Sequence, residues 1–427
     1  MKKIVMSTVA LTAIIGSMST VSASEKSGID FKTTGQTVIY YNTAAKNGTN
    51  QSLFSRKAGS NTRANFGIQL NLDADLGNAF TFGSQINYLG TLGLEKNLVN
   101  NVMQTTNGTV KSDSIADDIY LNKLYIAKQL ANTTLKLGRQ ELPKSLSPFA
   151  FSEGWNVFKN TFDAILAVNT DLPNTTLVGA YVAKSNHNGF GNNMSSFSNL
   201  TINNNPVLGT GALETRGAAY MLTAANKSLP MTAITASYYA LNNIGPVDNA
   251  NVHLDASVLW VNVAVAGKQL PMGLKVGVQG GQISPDTLKN TTAYGLKVAM
   301  APVSNLNVTL AYTSVNDGDA HVQNVGGVKT PLYTQMIANQ GAIKSDNDTF
   351  MLKAAYNTGA YGKVILQGSN SSDNSAAGRD LTDIELVYKV KAGGVNFLAA
   401  FINQSWSKKV NNTDSQNIAR VVARYNF

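Results

Sequence analysis

Apolar and polar residues alternate strictly over residues 65 to 74. Phe66, Ile68, Leu70, Leu72 and Ala74 fall on one face, and Asn65, Gly67, Gln69, Asn71 and Asp73 on the other. A period of two marks a β-strand whose faces meet different surroundings. The pattern resumes after Asp75-Leu76-Gly77-Asn78, where Phe80, Phe82, Ile86 and Tyr88 oppose Thr81, Gly83, Gln85 and Asn87, so the two runs read as a hairpin. Leu274/Val276/Val278, Tyr294/Leu296/Val298/Met300, Leu306/Val308/Leu310/Tyr312 and Phe350/Leu352/Ala354/Tyr356 continue it. Residues 118 to 128 and 254 to 265 fit either parity, so strands are expected there without assigned faces.

The connections fall into two populations. Short ones lie near Asp75 to Asn78, Leu130 to Thr133, Asp171 to Asn174, Lys227 to Pro230, Gly267 to Gly273, Pro302 to Asn305, Thr358 to Tyr361 and Ala392 to Gly394. Long polar ones lie between them, including Gly90 to Ala116, Pro143 to Lys159, His187 to Leu213 and Gly318 to Asn347. Eight short turns and nine long loops give eighteen strands, with sixteen as the other reading, and both chain ends on the short-turn side. Lys2, Lys3, the apolar run Ile4 to Ile15 and Val21-Ser22-Ala23 read as a signal peptide over residues 1 to 23. One domain is expected over residues 24 to 427.

Two architectures produce such strands, a soluble barrel or sandwich and a transmembrane barrel, and composition separates them. Charged residues make up 14% of the chain, against roughly 25% in an average soluble domain. The polar faces carry Gly, Asn, Gln, Thr and Ser where a water-facing surface would carry charge. After Ala23 no apolar run approaches the roughly 18 residues of a membrane-spanning helix, and there is no Cys for disulfide or thiolate chemistry. Lys275, Lys297, Lys353, Arg420 and Arg424 all lie on the non-lipid parity of their strands. That placement is required if a Lys or Arg on the lipid face costs about 2–4 kcal/mol at the midplane. The expectation is an all-β, transmembrane antiparallel β-barrel. The lipid bilayer lies outside it, and its lumen is too wide for side chains to fill, so it holds water, ions and small hydrophilic solutes. The net charge of +9 could suggest nucleic acid, but an exported chain argues against that partner.

In the last strand Ala419, Val421, Ala423, Tyr425 and Phe427 alternate with Arg420, Val422, Arg424 and Asn426. It resembles the C-terminal strand of bacterial outer-membrane barrels, which implies an outer-membrane location. It also implies recognition of Tyr425 and Phe427 by the barrel-assembly machinery.

Residues 138 to 155, GRQELPKSLSPFAFSEGW, are unlike the other connections. Phe149, Phe151 and Trp155 are seldom needed together in water, so this loop either folds back into the lumen or packs on a neighbouring subunit, and its composition favours the lumen. Arg139, Glu141, Lys144, Glu153, Asp117 and Asp118 are the candidate constriction residues. Lys275, Lys297, Lys353, Lys389, Lys391, Arg420 and Arg424 are the candidate basic wall. Opposed walls of opposite sign would set up a transverse field favouring small polar solutes. Asp383 and Glu385 share the inner parity, so no ion preference is assigned.

Residues 135 to 184, with the segment just quoted followed by NTFDAILAVNTDLPNTTLVGAYV, resemble the major outer membrane porin of Campylobacter and related bacteria. The resemblance implies a homotrimeric, eighteen-stranded general porin with its third long loop inside the barrel. It also implies a calcium ion (Ca2+) in the lumen, for which Asp117, Asp118, Glu141, Glu153 or Asp163 could supply oxygens, though no ligand motif matches residue by residue. Nothing else in the chain calls for a cofactor, and the metal residues stay unassigned.

His187, His253 and His321 are too far apart for a metal-ligand pair, and no phosphate loop, nucleophile elbow or zinc-protease motif is present. Asp317-Gly318-Asp319 and Asp346-Asn347-Asp348 read as solvated turns. The expected function is a general diffusion porin, not an enzyme. A substrate-selective channel of similar build is the second reading, a barrel lipase or protease the third, and a surface adhesin the fourth.

Overall fold

A computed structural model describes residues 29–56, 61–93, 98–106, 118–201, 217–244, 255–376 and 378–427. The signal peptide expected over residues 1 to 23 lies outside them, as does Asp117. Eighteen antiparallel strands form the barrel. They are β1 (Phe31–Lys46), β2 (Asn61–Gly77), β3 (Phe80–Gly90), β4 (Ile119–Leu130), β5 (Thr133–Gln140), β6 (Phe162–Asn169), β7 (Thr175–Ser185), β8 (Ala218–Asn226) and β9 (Thr232–Asn242). The second half comprises β10 (Ala256–Ala266), β11 (Lys275–Pro285), β12 (Thr291–Val303), β13 (Leu306–Val315), β14 (Asn347–Asn357), β15 (Lys363–Asp373), β16 (Leu381–Ala392), β17 (Val395–Val410) and β18 (Thr413–Asn426). Each strand pairs with its sequence neighbours, and β1 pairs with β18 from Gln36↔Asn426 to Lys46↔Gln416, which closes the sheet. Closure leaves no unpaired edge, the condition for a sheet in hydrocarbon.

The barrel is the inverse of a soluble protein. Leu70 and Ile86 are 44% and 47% exposed on the outside, whereas Gln69, Gln85 and Asn87 are 7%, 2% and 0% exposed within. The eight short turns fall where the alternation places them. Three of the opposite connections, after β11, β15 and β17, are also short. The last is only Asn411-Asn412, with φ of 49° and 62°, the left-handed pair that a two-residue hairpin needs and Asn tolerates. Phe427 extends the ladder: its N–H donates to the Gly35 carbonyl at 3.0 Å, and its carbonyl accepts from the Gly35 N–H at 2.7 Å. A methyl group at Gly35 would lie 2.6 Å from the Phe427 ring, so the glycine makes room for the terminal aromatic.

The two stretches of ambiguous parity have different causes. In β4, Lys123 opposes Gln85 while Leu121 opposes Ile86, leaving Asn122 as an extra residue. This bulge flips the outward set from Ile119 and Leu121 to Leu124 and Ile126. In β10, Leu259 and Val261 face outward, but Val258 and Trp260 on the inner face are apolar as well and fully covered. Something inside the barrel packs on them.

Candidate functional site

Among the described residues, two connections fold across the lumen to the neck, and Met103 and Met194 of two others pack against the first of them. The first, residues 141–161 between β5 and β6, is the loop singled out by its aromatic residues. Leu142, Leu146, Phe149 and Ala150 pack on the inner wall formed by β6 to β12. The Phe149 ring stands edge-on to Tyr239 and Trp260, with centroids 5.9 and 5.3 Å away. The chain then crosses the lumen as a strap. Val157 and Phe158 join a second cluster with Val38, Tyr40, Leu89 and Tyr120 on the opposite wall. A methyl group at Gly67 would lie 2.7 Å from Phe158, so glycine is needed where the strap lands. Tyr40 Oη donates to the Trp155 carbonyl at 3.0 Å.

The second in-folded connection, residues 316–346 between β13 and β14, read in sequence only as a long polar loop. Val322, Val325 and Leu332 share the core of the first loop, and Met336 packs on Met351 and Ala311. Apolar residues scattered through an otherwise polar loop were the available signal.

Glu153 joins the two loops. Its carboxylate accepts from Trp155 Nε1, Asn324 Nδ2 and the Lys329 backbone N–H, each at 2.8 Å. Burial raises its pKa, and those donors oppose the rise. Lys144 Nζ donates to the Thr330 carbonyl at 2.7 Å, a further tie between the loops. Lys329 is buried, which lowers its pKa to about 7. Its ammonium donates to the Ile337 carbonyl at 2.6 Å and to Gln340 Oε1 at 2.9 Å, and lies 5.5 Å from the Trp155 ring.

Asp383 and Glu385 do share the inner face, yet both are 0% exposed because the second loop lies over them. Glu385 accepts from the backbone N–H of Ile337 and Ala338 at 2.8 and 3.0 Å and from Gln367 Nε2. Asp383 accepts from Gln404 Nε2 at 2.6 Å. Glu385 holds the loop directly, Asp383 reaches it only through Gln404, which also donates to the Ala338 carbonyl at 3.1 Å, and neither acid lines the open space.

That space is a cavity of about 900 Å³ toward the turn end, whose lining includes Lys329, Lys363, Lys389, Lys391, Arg420 and Arg424 and no carboxylate among the described residues. A smaller cavity of about 220 Å³ toward the loop end is lined by Arg63, Phe190, Gln340, Gln404 and Gln416, among others. Trp155, Ile337 and Arg420 line both, so they mark the neck. The Arg420 guanidinium lies 5.7 Å from the Trp155 ring and 5.6 Å from Tyr40, within cation–π range. Arg424 fixes the strap, donating to Gln36 Oε1 at 2.7 Å and to the carbonyls of Asn156 and Val157 at 3.3 and 3.1 Å.

The remaining candidates are dispersed. Lys353 faces inward opposite Gln367, Lys297 stacks 4.1 Å over Tyr333, and Lys275 opposes Ala299 on the same inner face. Glu141 sits between Lys123 and Lys159 at 2.7 and 2.6 Å. Burial works to raise its pKa, but the two ammonium groups prevail and hold it at about 2. Asp118 accepts from Thr106 Oγ1 at 3.4 Å.

Arg139, expected at the constriction, is on the other face. It opposes Leu124 and Asp163 in the ladder, and Leu124 faces outward. There it pairs with Asp163 at 2.8 Å and stacks on Phe197. The alternation of β5 carries the outward side, since Arg139 shares the parity of Leu135 and Leu137 against Lys136 and Gln140, and its adjacency to the loop is the misleading cue.

Among the described residues, the carboxylates suggested for calcium do not converge. Glu141 is paired with two lysines, Glu153 with N–H donors, and Asp163 faces outward with Arg139. No three His, Cys, Asp or Glu side chains gather among the described residues. Lys329, Lys363 and Ile337 escaped the sequence reading. Lys363 begins its strand opposite Lys389, and the other two belong to the unrecognised loop.

No family model matches the chain, and no curated protein does. Solved structures of the same fold do. Pseudomonas aeruginosa OccK8 (OprE) superposes with a TM-score of 0.69 at 14% identity, covering 93% of this chain and 98% of that one. A BenF-like porin from Pseudomonas fluorescens Pf-5 gives 0.66 at 14%, covering 93% and 98%. Pseudomonas aeruginosa OpdK with vanillate gives 0.68 at 12%, again covering 93% and 98%. The likeness is one of fold, so what was read from residues 135 to 184 stands at the level of the porin-type barrel and not of the narrower family.

Proposed function

We propose that this chain is an outer-membrane channel that passes small hydrophilic anions selectively. The observation that carries the reading is the cavity of about 900 Å³ lined by the cationic side chains Lys363, Lys389, Lys391, Arg420 and Arg424, with the inner acids Asp383 and Glu385 covered by a loop. In a narrow, low-dielectric passage, fixed charge of one sign concentrates counter-ions and rejects co-ions. An anion entering from the loop end meets Arg63, passes Arg420 between Trp155 and Ile337, and is handed to Lys389, Lys391 and Lys363. Several weak sites in series allow entry without trapping.

This reading favours the substrate-selective channel over the general diffusion porin expected from sequence. Two in-folded loops leave a neck shared by three residues, where one loop would leave a broader opening. OpdK, of the same fold, has been crystallised with vanillate, an aromatic carboxylate, and a carboxylate is the kind of solute a basic passage would take. Export by residues 1 to 23, insertion guided by Tyr425 and Phe427, and assembly as a homotrimer belong to the same proposal. Planar-bilayer recording in a potassium chloride gradient tests it. Chloride-favouring reversal potentials and a conductance that saturates with an organic carboxylate are expected, and cation preference would refute it. Conductance in three equal steps would support the trimer.

A further inference from the structure

The strap formed by residues 154–159 divides the lumen, and the space on its far side differs in chemistry from the basic vestibule. It is a recess of about 340 Å³ lined by the amides Gln36, Gln69, Asn71, Gln85 and Asn156, together with the Lys123–Glu141–Lys159 triad and Arg424. Its volume lies at the lower end of the range of small-molecule sites, about 300–1,000 Å³.

The amides are placed by the ladder. Gln36 opposes Gln69, and Asn71 opposes Gln85. Four amide groups therefore form a patch on three adjacent strands, with neighbours ~4.8 Å apart across strands and ~7 Å apart along β2, the footprint of a single sugar ring. They are already partly ordered by one another: Gln36 Nε2 donates to Gln69 Oε1 and Gln85 Nε2 to Asn71 Oδ1, both at 2.6 Å.

Charge in the recess is largely engaged. Glu141 takes up both lysines at 2.7 and 2.6 Å, and the Arg424 guanidinium is spent on Gln36 and the strap carbonyls. The vestibule across the strap has no such carboxylate among its described lining residues. An amide presents a carbonyl acceptor and NH donors side by side. An anion, which only accepts, would meet amide oxygens, whereas a hydroxyl both donates and accepts and suits either.

We infer that this recess is a second solute site, for a neutral polyhydroxylated molecule of about one sugar ring. It goes beyond the anion path, and its residues other than Gly154, Asn156 and Arg424, which border both spaces, are separate from that path.

The probe is D-glucose added during planar-bilayer recording. Bound sugar narrows the shared lumen, so glucose lowers the potassium chloride conductance saturably and adds current noise. Asn71→Leu and, separately, Gln69→Leu remove donors and acceptors worth about tenfold in half-saturating concentration, while the reversal potential in the salt gradient stays at its unmodified value. Heat-shifted electrophoretic mobility shows which variant has folded, and either one suffices. The inference is overturned if glucose leaves the current unchanged, or if a folded variant responds to glucose as the unmodified protein does. Loss of anion preference with the glucose response intact would strike the proposed function instead, so the two failures are distinguishable.

Discussion

The inner wall has two halves that face each other across one lumen, built from the same kind of strand with opposite results. From β6 to β12 many inward positions are apolar, including Leu166, Val178, Met221, Tyr239, Val258, Trp260 and Ile283, and the in-folded loops bury these as a continuous core, with Lys275 on β11 and Lys297 on β12 inward but outside it. From β14 to β18 the inward positions include Lys353, Lys389, Arg420 and Arg424, and the loops stop short of most of them. A barrel in lipid has its greasy face outside, so an apolar patch within it has no purpose unless something packs on it. One half is therefore a foundation for the loops, and the loops in turn decide which charges on the other half meet solute.

The sharpest way to break this division is to cut the foundation. Phe149→Ala removes the ring wedged against Tyr239 and Trp260 and should cost about 3–5 kcal/mol. The in-folded segment should loosen, single-channel conductance should rise several-fold, and the barrel should lose its heat-resistant mobility at a lower temperature. Unchanged conductance would mean that the loop does not narrow the passage.

Glu153→Ala comes next. It orphans the donors on Trp155, Asn324 and Lys329, a loss of about 1–3 kcal/mol for buried groups left unpaired. The loops should part while the barrel persists, giving noisier current at nearly normal melting. Arg420→Gln and Arg424→Gln act on the opposite half. Each removed charge changes the potential felt by an ion across the lumen by on the order of 1 kcal/mol. The reversal potential should move toward cations, by about fivefold in permeability ratio at Arg420, and at Arg424 the shift should come with a looser strap, because its bonds to the Asn156 and Val157 carbonyls are lost. A reversal potential that does not move would remove these arginines from the path.

The two halves were also unequally legible in the sequence. Where the inner face is polar, as in β2, β3 and β14, alternation displays both faces, and the strands and turns follow. In β10 it fails because Val258 and Trp260 are as apolar inside as Leu259 and Val261 are outside, so parity disappears where the foundation lies. In β4 it fails because Asn122 adds a residue to the count. The first in-folded loop announced itself through Phe149, Phe151 and Trp155. The second did not, because its anchors Val322, Val325, Leu332 and Met336 are single residues among polar ones, and its fixing points, Glu385 on β16 and Glu153 on the other loop, are remote in sequence. Covering Asp383 and Glu385 is a tertiary event, which is why the sign of the open lumen could be read only from the fold.

Acid should reveal a smaller effect at the boundary between the halves. The pKa of Glu141 falls to about 2, burial being overcome by Lys123 and Lys159. A carboxylate lowered in this way contributes stability that is complete above its unfolded pKa, near the ordinary range of about 4.3, and is lost as pH falls toward 2. Melting temperature should therefore be level from pH 7 to about 5 on this account and decline below about 4. Glu141→Gln should flatten that part of the decline. A variant whose acid profile matches the unmodified protein would show that the triad does not brace the strap.

The smallest expected effect is the one most at odds with a reading by sequence position. Arg139 adjoins the constriction loop, yet its ladder partners Leu124 and Asp163 share the outer face, and its guanidinium is occupied by Asp163, the Leu121 carbonyl and the Phe197 ring. A charge on the outer surface is separated from permeating ions by the wall and by its own paired carboxylate. Removing it should leave the lumen potential unchanged, even though Arg420→Gln removes the same charge. Arg139→Gln should thus keep both conductance and reversal potential, altering only the local packing at the outer rim. A cation shift comparable with that of Arg420→Gln would place Arg139 inside and reverse the parity assigned to β5.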